Sequence, residues 1–255
     1  MSKDCKVISI VNQKGGVGKT TTVLNMAAAL AVLENKTLVI DFDPQGNLSS
    51  GLGIDNREKT IYDVLCKEVD ISKATTKTKI DNLSVVPSDM NLAAFEVEII
   101  DKDKREYILD EKLNKIKNDY DYIIIDCPPS LGLLTVNALT ASNSIIIPLQ
   151  CEFFALEGLS HLLETAERIK SNFNAKLHIG GVLLTMYDKR NKLTEQIEKD
   201  VRDYLGDLVY KNVIPRNVKL AESTSFGMPA IIYDMNCSGS SAYINFVKEL
   251  VKRNG

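Results

Sequence analysis

Apolar residues gather along the chain in five short runs, at 7–11, 37–42, 122–125, 144–149 and 181–184. The runs are rich in Ile, Val and Leu and hardly alternate with polar residues. Strands buried on both faces have this pattern, so the runs predict the inner strands of a parallel sheet. Between them lie segments with helical spacing. Residues 20–34 place Val23, Ala27, Leu30 and Ala31 on one face, and residues 104–117 do the same with Ile108, Leu109, Leu113 and Ile116. Further helices are expected at 155–171, 192–205 and 241–253. Strand and helix in alternation require crossover connections, which predicts an α/β fold with a doubly wound, mostly parallel sheet flanked by helices. Residues 53–82 are polar and irregular and are expected to form a surface excursion. No internal repeat or low-complexity linker interrupts the chain, so 1–255 is expected to be one domain without an added N-terminal DNA-binding domain.

Composition narrows the function classes. The 255 residues can bury one large core. A net charge of −3 excludes a uniformly basic coat for nucleic acid but leaves room for a local basic patch. The five cysteines, Cys5, Cys66, Cys127, Cys151 and Cys237, form no C-x-x-C pair. They lack the spacing of a zinc site or a disulfide framework and are expected to be scattered thiols of a reducing cytoplasm. Neither a secretory signal nor an apolar run near the ~18 residues of a membrane helix is present.

The first apolar run leads into Asn12-Gln-Lys-Gly-Gly-Val-Gly-Lys-Thr-Thr-Thr22 and then the first helix. Strand, glycine loop and helix in that order form a phosphate cradle. Glycines bring the backbone close to the anion, and the helix N-terminus adds partial positive charge. Gly15, Gly16, Val17, Gly18, Lys19, Thr20 and Thr21 are therefore expected to bind the nucleotide phosphates, with Lys19 on the β- and γ-phosphates and the Thr20 hydroxyl on Mg²⁺. The standard loop would have a glycine where Gln13 stands, and it has one lysine where this one has two, Lys14 and Lys19. Two later strand ends carry acids, Asp41 and Asp43 after the second apolar run and Asp126 after the third. Ligands of open α/β sheets bind at that edge, and carboxylates there call for a cation. Asp126 and Asp43 are read as facing Mg²⁺, whereas Asp41 serves equally well as a structural carboxylate bonded to the phosphate loop.

These motifs, with D-F-D-P-Q-G-N, I-I-I-D-C-P-P-S, P-L-Q-C-E-F-F-A-L-E-G, I-P-R-N-V-K-L-A-E-S and S-F-G-M-P-A, run almost end to end. The chain resembles the ParA/Soj partition ATPases of the deviant Walker A (MinD/ParA) group. The resemblance implies a cytoplasmic, nucleoid-associated ATPase, weak alone and stimulated by a ParB-like partner. It implies an ATP-sandwich homodimer in which Lys14 crosses to the neighbour's phosphates while Lys19 acts in its own subunit. Thr20 and Asp126 would serve Mg²⁺, Asp126 through water, and Asp43 would position the attacking water. Adenine contacts fall on Pro215, Asn217 and Met186, although Pro215-Arg216-Asn217 also reads as a turn with an Asn helix cap.

Three basic groups are present: Lys189, Arg190 and Lys192; Arg216 and Lys219; Lys248, Lys252 and Arg253. Singly, each reads as a solvated face. By the resemblance, Arg190 and Lys219 would bind double-stranded DNA without sequence preference, summed across a dimer. A MinD-like membrane switch is the main alternative. It needs a basic amphipathic segment beyond the last core helix, yet 241–253 places Ile244, Val247, Leu250 and Val251 on one docking face. An iron–sulfur carrier would need better-placed cysteines, and a small-molecule kinase or amide-forming synthetase would need a substrate motif. His161 and His178 need no special role. Glu152 reads equally as an interface contact and as a structural residue.

Overall fold

The computed structural model describes residues 4–254. Seven strands form one sheet: β1 (Lys6–Ile10), β2 (Thr37–Asp41), β3 (Thr76–Lys77), β4 (Leu83–Val86), β5 (Tyr122–Asp126), β6 (Ser144–Gln150) and β7 (His178–Thr185). Their order across the sheet is β3-β4-β2-β5-β1-β6-β7, and every pairing is parallel except β3 with β4. The five apolar runs become β1, β2, β5, β6 and β7, which are contiguous in the sheet as β2-β5-β1-β6-β7. This is the doubly wound α/β fold expected.

The runs lack alternation because both faces are covered. Val7, Leu38, Ile123 and Ile145 point into one core, and their neighbours Ile8, Val39, Ile124 and Ile146 point into the other. Burying each such side chain contributes roughly 1.5–3 kcal/mol. The helix Lys19–Val32 follows the loop after β1 and is buried along most of its length, from Thr22 to Ala31. Its small residues, Ala27, Ala28 and Ala29, let it lie against the sheet while the helix Ser238–Asn254 covers its outer side. Thr22 Oγ1 and Tyr243 Oη meet at 3.1 Å between the two helices. Val247 and Leu250 are buried in this packing.

Two expectations need correction. The 104–117 helix is broken into a 3₁₀ turn, Arg105–Tyr107, a short helix, Ile108–Leu113, and a second 3₁₀ turn, Lys117–Asp119. Its apolar spacing is satisfied all the same, because Leu109 and Leu113 are fully buried. Residues 53–82 are not a loose excursion. They contain the helix Ile61–Cys66, whose start is closed by a capping box between Thr60 and Asp63. Ile61, Val64, Leu65, Ile71 and Ala74 from this segment are buried against the sheet. β4 escapes sequence reading because four residues are too few to show a period.

One glycine contact joins distant parts of the chain beside the phosphate loop. Gly227 has φ +62°, and a Cβ there would lie 2.8 Å from the Gly53 Cα. Gly53 is itself left-handed, at φ +68°. Backbone cannot yield as a side-chain tip can, and a left-handed L-residue adds roughly 1–2 kcal/mol of its own. Gly227→Ala should therefore lower stability by about 2 kcal/mol or more, read as a fall in the urea midpoint at unchanged m value.

Candidate functional site

The site lies at the C-terminal edge of β1, β2, β5 and β7. Gly16 (φ +75°) and Gly18 (φ +87°) give the loop after β1 its left-handed turns. Gly18 opens the helix Lys19–Val32 without any side-chain cap, so the first helical N–H groups are left for another partner. Beyond the adjoining residues of the loop, no described atom lies within 4 Å of a Cβ built on Gly15 or Gly16. The protein does not crowd these positions, and both glycines line an open cavity. Val17 faces inward instead, with its carbonyl accepting from Thr185 Oγ1 of β7 at 2.8 Å.

Two cavities meet at this loop. One, of about 430 Å³, is lined by Gly15, Gly16, Lys19, Thr20, Asp43 and Pro129 among others. The other, of about 190 Å³, is lined by Thr185, Ile214, Pro215, Asn217, Leu220 and Tyr243 among others. Gly18, Thr21 and Met186 belong to both, so the two make one cleft with a polar half and an apolar half. Met186 holds a positive φ of 49°, a strained conformation for a side chain of its size. Asn217 does cap a helix, accepting from Lys219 N at 2.8 Å, and its amide donates to Ser238 Oγ at 2.7 Å. The helix-cap reading of that residue is observed, and the capped helix start also forms part of the cavity wall.

The three aspartates separate into distinct environments. Asp126 is buried, and neither of its carboxylate oxygens has a partner in good hydrogen-bond geometry. Burial first, and then the charge of Asp41 on the adjacent strand, raise its pKa well above the ordinary carboxylate value, and the nearby Thr20 hydroxyl opposes that rise. Asp41 is equally buried but satisfied: Oδ2 accepts from Ser49 N at 2.8 Å and from Ser49 Oγ at 2.6 Å. Burial pushes its carboxyl up to about 6, and the Ser49 bonds act against that rise. Asp41 is thus structural, but it bonds the Ser49 turn and not the phosphate loop. Asp43 lines the cleft, with Oδ1 accepting from Gln45 N at 2.9 Å.

The two loop lysines also separate. Lys19 is buried, and Nζ donates to the Lys14 carbonyl at 3.2 Å. Burial lowers its pKa below the ordinary lysine value, opposed by Asp126, Cys127 and Asp43. Lys14 stands half-exposed and forms an ion pair with Glu152, which spacing alone left undecided. Phe153 and Phe154 follow Glu152 as an edge-to-face pair, 78% and 69% exposed.

A buried, unpartnered carboxylate is costly unless a cation meets it. No group of three or more His, Cys, Asp or Glu among the described residues is placed to hold a metal alone. Asp126 with Thr20 therefore fits an ion of the Mg²⁺ type, which takes one or two protein ligands and completes its shell with phosphate and water.

Arg190 and Lys219, the two residues read as DNA contacts, each hold an acid. Arg190 pairs with Asp188 at 2.9 Å and holds that carboxyl down to about 2. Lys219 pairs with Glu222 at 2.9 Å. A depression of about 860 Å³ brings Arg190 together with Lys189, Lys211 and Arg216. Arg253 is structural, bonding the Asp207 and Val209 carbonyls and lying 4.2 Å over the Tyr210 ring. All five cysteines are free, and burial pushes the Cys127 thiol up to about 12. Among the described residues no helix is long and apolar enough to cross a membrane.

Comparison with known proteins gives this geometry a family. A family model described as an AAA domain matches residues 5–179. Chromosome partitioning protein ParA of Caulobacter vibrioides is 50% identical over 252 residues, covering 97% of this chain and 94% of that protein. The chain belongs to the ParA/Soj family of P-loop ATPases. Another family member, chromosome-partitioning ATPase Soj of Treponema pallidum, is 49% identical and covers 98% of both chains. Among solved structures, cobyrinic acid a,c-diamide synthase of Mycobacterium smegmatis with bound ATP analog and magnesium has a TM-score of 0.87. It is 36% identical and covers 97% of this chain and 94% of that one.

The aspartate environments set a pH test. Asp126 binds its proton more tightly folded than unfolded, so the nucleotide-free protein loses stability as pH rises from near 4 upward. Asp126→Asn abolishes that charge and breaks no well-formed hydrogen bond. The variant should melt higher than wild type at pH 8, with the gain fading toward pH 4, and should lose the Mg²⁺-dependent part of its stabilisation by ATP. Gly15→Ala should leave the nucleotide-free melting temperature within about 2 °C of wild type while weakening ATP binding at least tenfold, measured by titration.

Proposed function

We propose that this chain is an ATP-dependent switch for chromosome or plasmid partition. ATP binding closes a homodimer, the dimer holds double-stranded DNA without sequence preference, and a ParB-like partner triggers hydrolysis and release. The observation that carries this reading is the division of one loop's two lysines. Lys19 is buried in its own cleft, and Lys14 is held at the rim, its side chain 54% exposed. A half-exposed cation at the rim supports its use on a phosphate brought by a second subunit. The exposed Phe153–Phe154 pair beside it supplies apolar surface for the same contact.

Phosphoryl transfer needs positioning and charge neutralisation more than covalent chemistry. Mg²⁺ held by Thr20 and Asp126 would supply part of that neutralisation. The glycine loop and Lys19 bind and orient the phosphates. Asp43, fixed by Gln45 N, holds the attacking water, and Lys14 of the other subunit adds positive charge where it develops. Met186, Pro215 and Asn217 form the apolar half of the cleft and take the adenine.

DNA contact falls to Arg190 and Lys219, extended by Lys189, Lys211 and Arg216 in the adjoining depression. The ion pairs to Asp188 and Glu222 are exposed and weak, and phosphate can displace them. The protein is expected in the cytoplasm on the nucleoid, as a single P-loop domain. A membrane-switch reading has less support, because Val247 and Leu250 of the last helix are committed to the core. The 36% identity to a synthase is lower than the 50% identity to a partition protein, which favours partition over amide formation.

Size-exclusion chromatography with ATP, followed by duplex retention on random-sequence DNA, tests the reading. Asp43→Ala should accumulate as a dimer on DNA. Lys14→Ala should lose hydrolysis and weaken the dimer, and a wild-type stimulated rate in Lys14→Ala would contradict its role. Arg190→Ala should lower the slope of log affinity against log salt by about 1 for each phosphate that the variant leaves unneutralised.

A further inference from the structure

The turn that carries Asp43 is clamped from two sides, and only one of them belongs to its own motif. Gly46 N donates to the Asp43 carbonyl at 3.0 Å, closing the turn, and Gly46 adopts φ +64°. From beneath, Asp41 holds Ser49, whose Oγ accepts from Ser88 N at 3.1 Å. From the other side comes Arg57, out of the polar 53–82 segment. Its Nη2 donates to the Gly46 carbonyl at 3.3 Å and to Ser50 Oγ at 2.7 Å. Its Nη1 donates to the Ser88 carbonyl at 2.8 Å, and its Nε to the Ile54 carbonyl at 3.1 Å.

This arrangement differs from an ordinary surface arginine in three ways. Among the described residues no carboxylate lies within ion-pair range of Arg57, so its charge is not spent on an acid. Its planar fork instead spans three backbone carbonyls from separate segments, which a lysine's point charge cannot do. The fit is also tight: a Cβ on Gly46 would come within 2.3 Å of Arg57 Nη1 and 2.9 Å of the Ser88 carbonyl. Gly46 is therefore glycine both for its left-handed turn and to admit the guanidinium. Ser50, the hydroxyl partner of Nη2, lines the phosphate cleft together with Asp43, Gln45 and Asn47. The guanidinium thus stands one side chain behind the cleft wall.

We infer that Arg57 is a positioning residue for hydrolysis: its guanidinium fork locks the Asp43–Gly46 turn against the Ser88 end of β4, so that the Asp43 carboxylate is held in place for the attacking water. The inference rests on the reading of Asp43 given above. A misplacement of about 1 Å in such a group can cost on the order of a hundredfold in rate without touching ground-state binding. The Lys19 side of the cleft, which binds the nucleotide, is built on the other loop and does not depend on Arg57.

The test uses the full chain with ATP and Mg²⁺, hydrolysis being normalised to the nucleotide-binding sites titrated with an ATP analogue. Arg57→Ala should lower kcat about tenfold or more while leaving the ATP Kd within about twofold. Arg57→Lys should stay as slow as Arg57→Ala, because it keeps the charge and loses the fork. Amides 46–50 should exchange hydrogen faster in both variants. The inference is overturned if Arg57→Ala keeps the wild-type kcat, if Arg57→Lys restores it, or if kcat and affinity fall together as in general unfolding. Asp43→Ala is the control that separates the two claims. If it is inactive while Arg57→Ala is normal, only the Arg57 role fails; if it hydrolyses ATP at the wild-type rate, the Asp43 reading fails and the Arg57 role with it.

Discussion

Asp41 and Asp126 lie side by side on adjacent parallel strands, both fully buried, at the edge where the sheet meets its ligand. Two carboxylates so placed repel one another, and the apolar sheet around them disfavours charge on either. The fold resolves the conflict unequally. Asp41 receives the Ser49 backbone and hydroxyl, and in return fixes the turn behind the cleft. Asp126 receives no such bond and is left facing the phosphate loop. One acid thus becomes scaffold, and the other is left buried without a hydrogen-bond partner beside the phosphate loop. The chemistry of the site depends on that asymmetry.

The loop opposite obeys a matching rule. A helix start without a side-chain cap, left-handed glycines and a buried lysine all add positive potential on one side of the cleft. Lys19 gives up part of its hydration there, compensated by the aspartates across from it. Lys14 keeps much of its hydration and takes Glu152 as its partner. The site without nucleotide therefore has its charges arranged but not satisfied, which favours anything that brings anionic phosphate and a metal together.

The cleft is also a meeting of segments far apart in the chain. Thr185 ties β7 to the phosphate loop through Val17, while Gly53 and Gly227 bring the 226–228 turn against the end of the helix Asn47–Gly51. Arg57 joins the Asp43 turn to the exit of β4. Movement of the β4 exit would be felt at the Asp43 turn, because Arg57 bonds a backbone carbonyl on each.

The amino-acid sequence by itself determined the inner strands, the phosphate loop and the acidic strand ends. Each is a local pattern: five continuous apolar runs, glycines beside a lysine and threonine, an aspartate closing a run. The physics that produces them, burial on both faces and backbone wrapped around an anion, acts within a few consecutive residues. Tertiary structure alone decided which aspartate is satisfied, since Ser49 and the oxygens of Asp126 carry no mark of partnership in their spacing. It decided that Lys14 meets Glu152 across 138 positions of sequence. It also turned residues 53–82 from an apparent excursion into a packed segment that returns Arg57 to the site, and split the 104–117 helix while keeping Leu109 and Leu113 inside. Short elements such as β4 have no period to read, and contacts between distant residues leave no local trace; they exist only once the chain has folded and burial has chosen the partners.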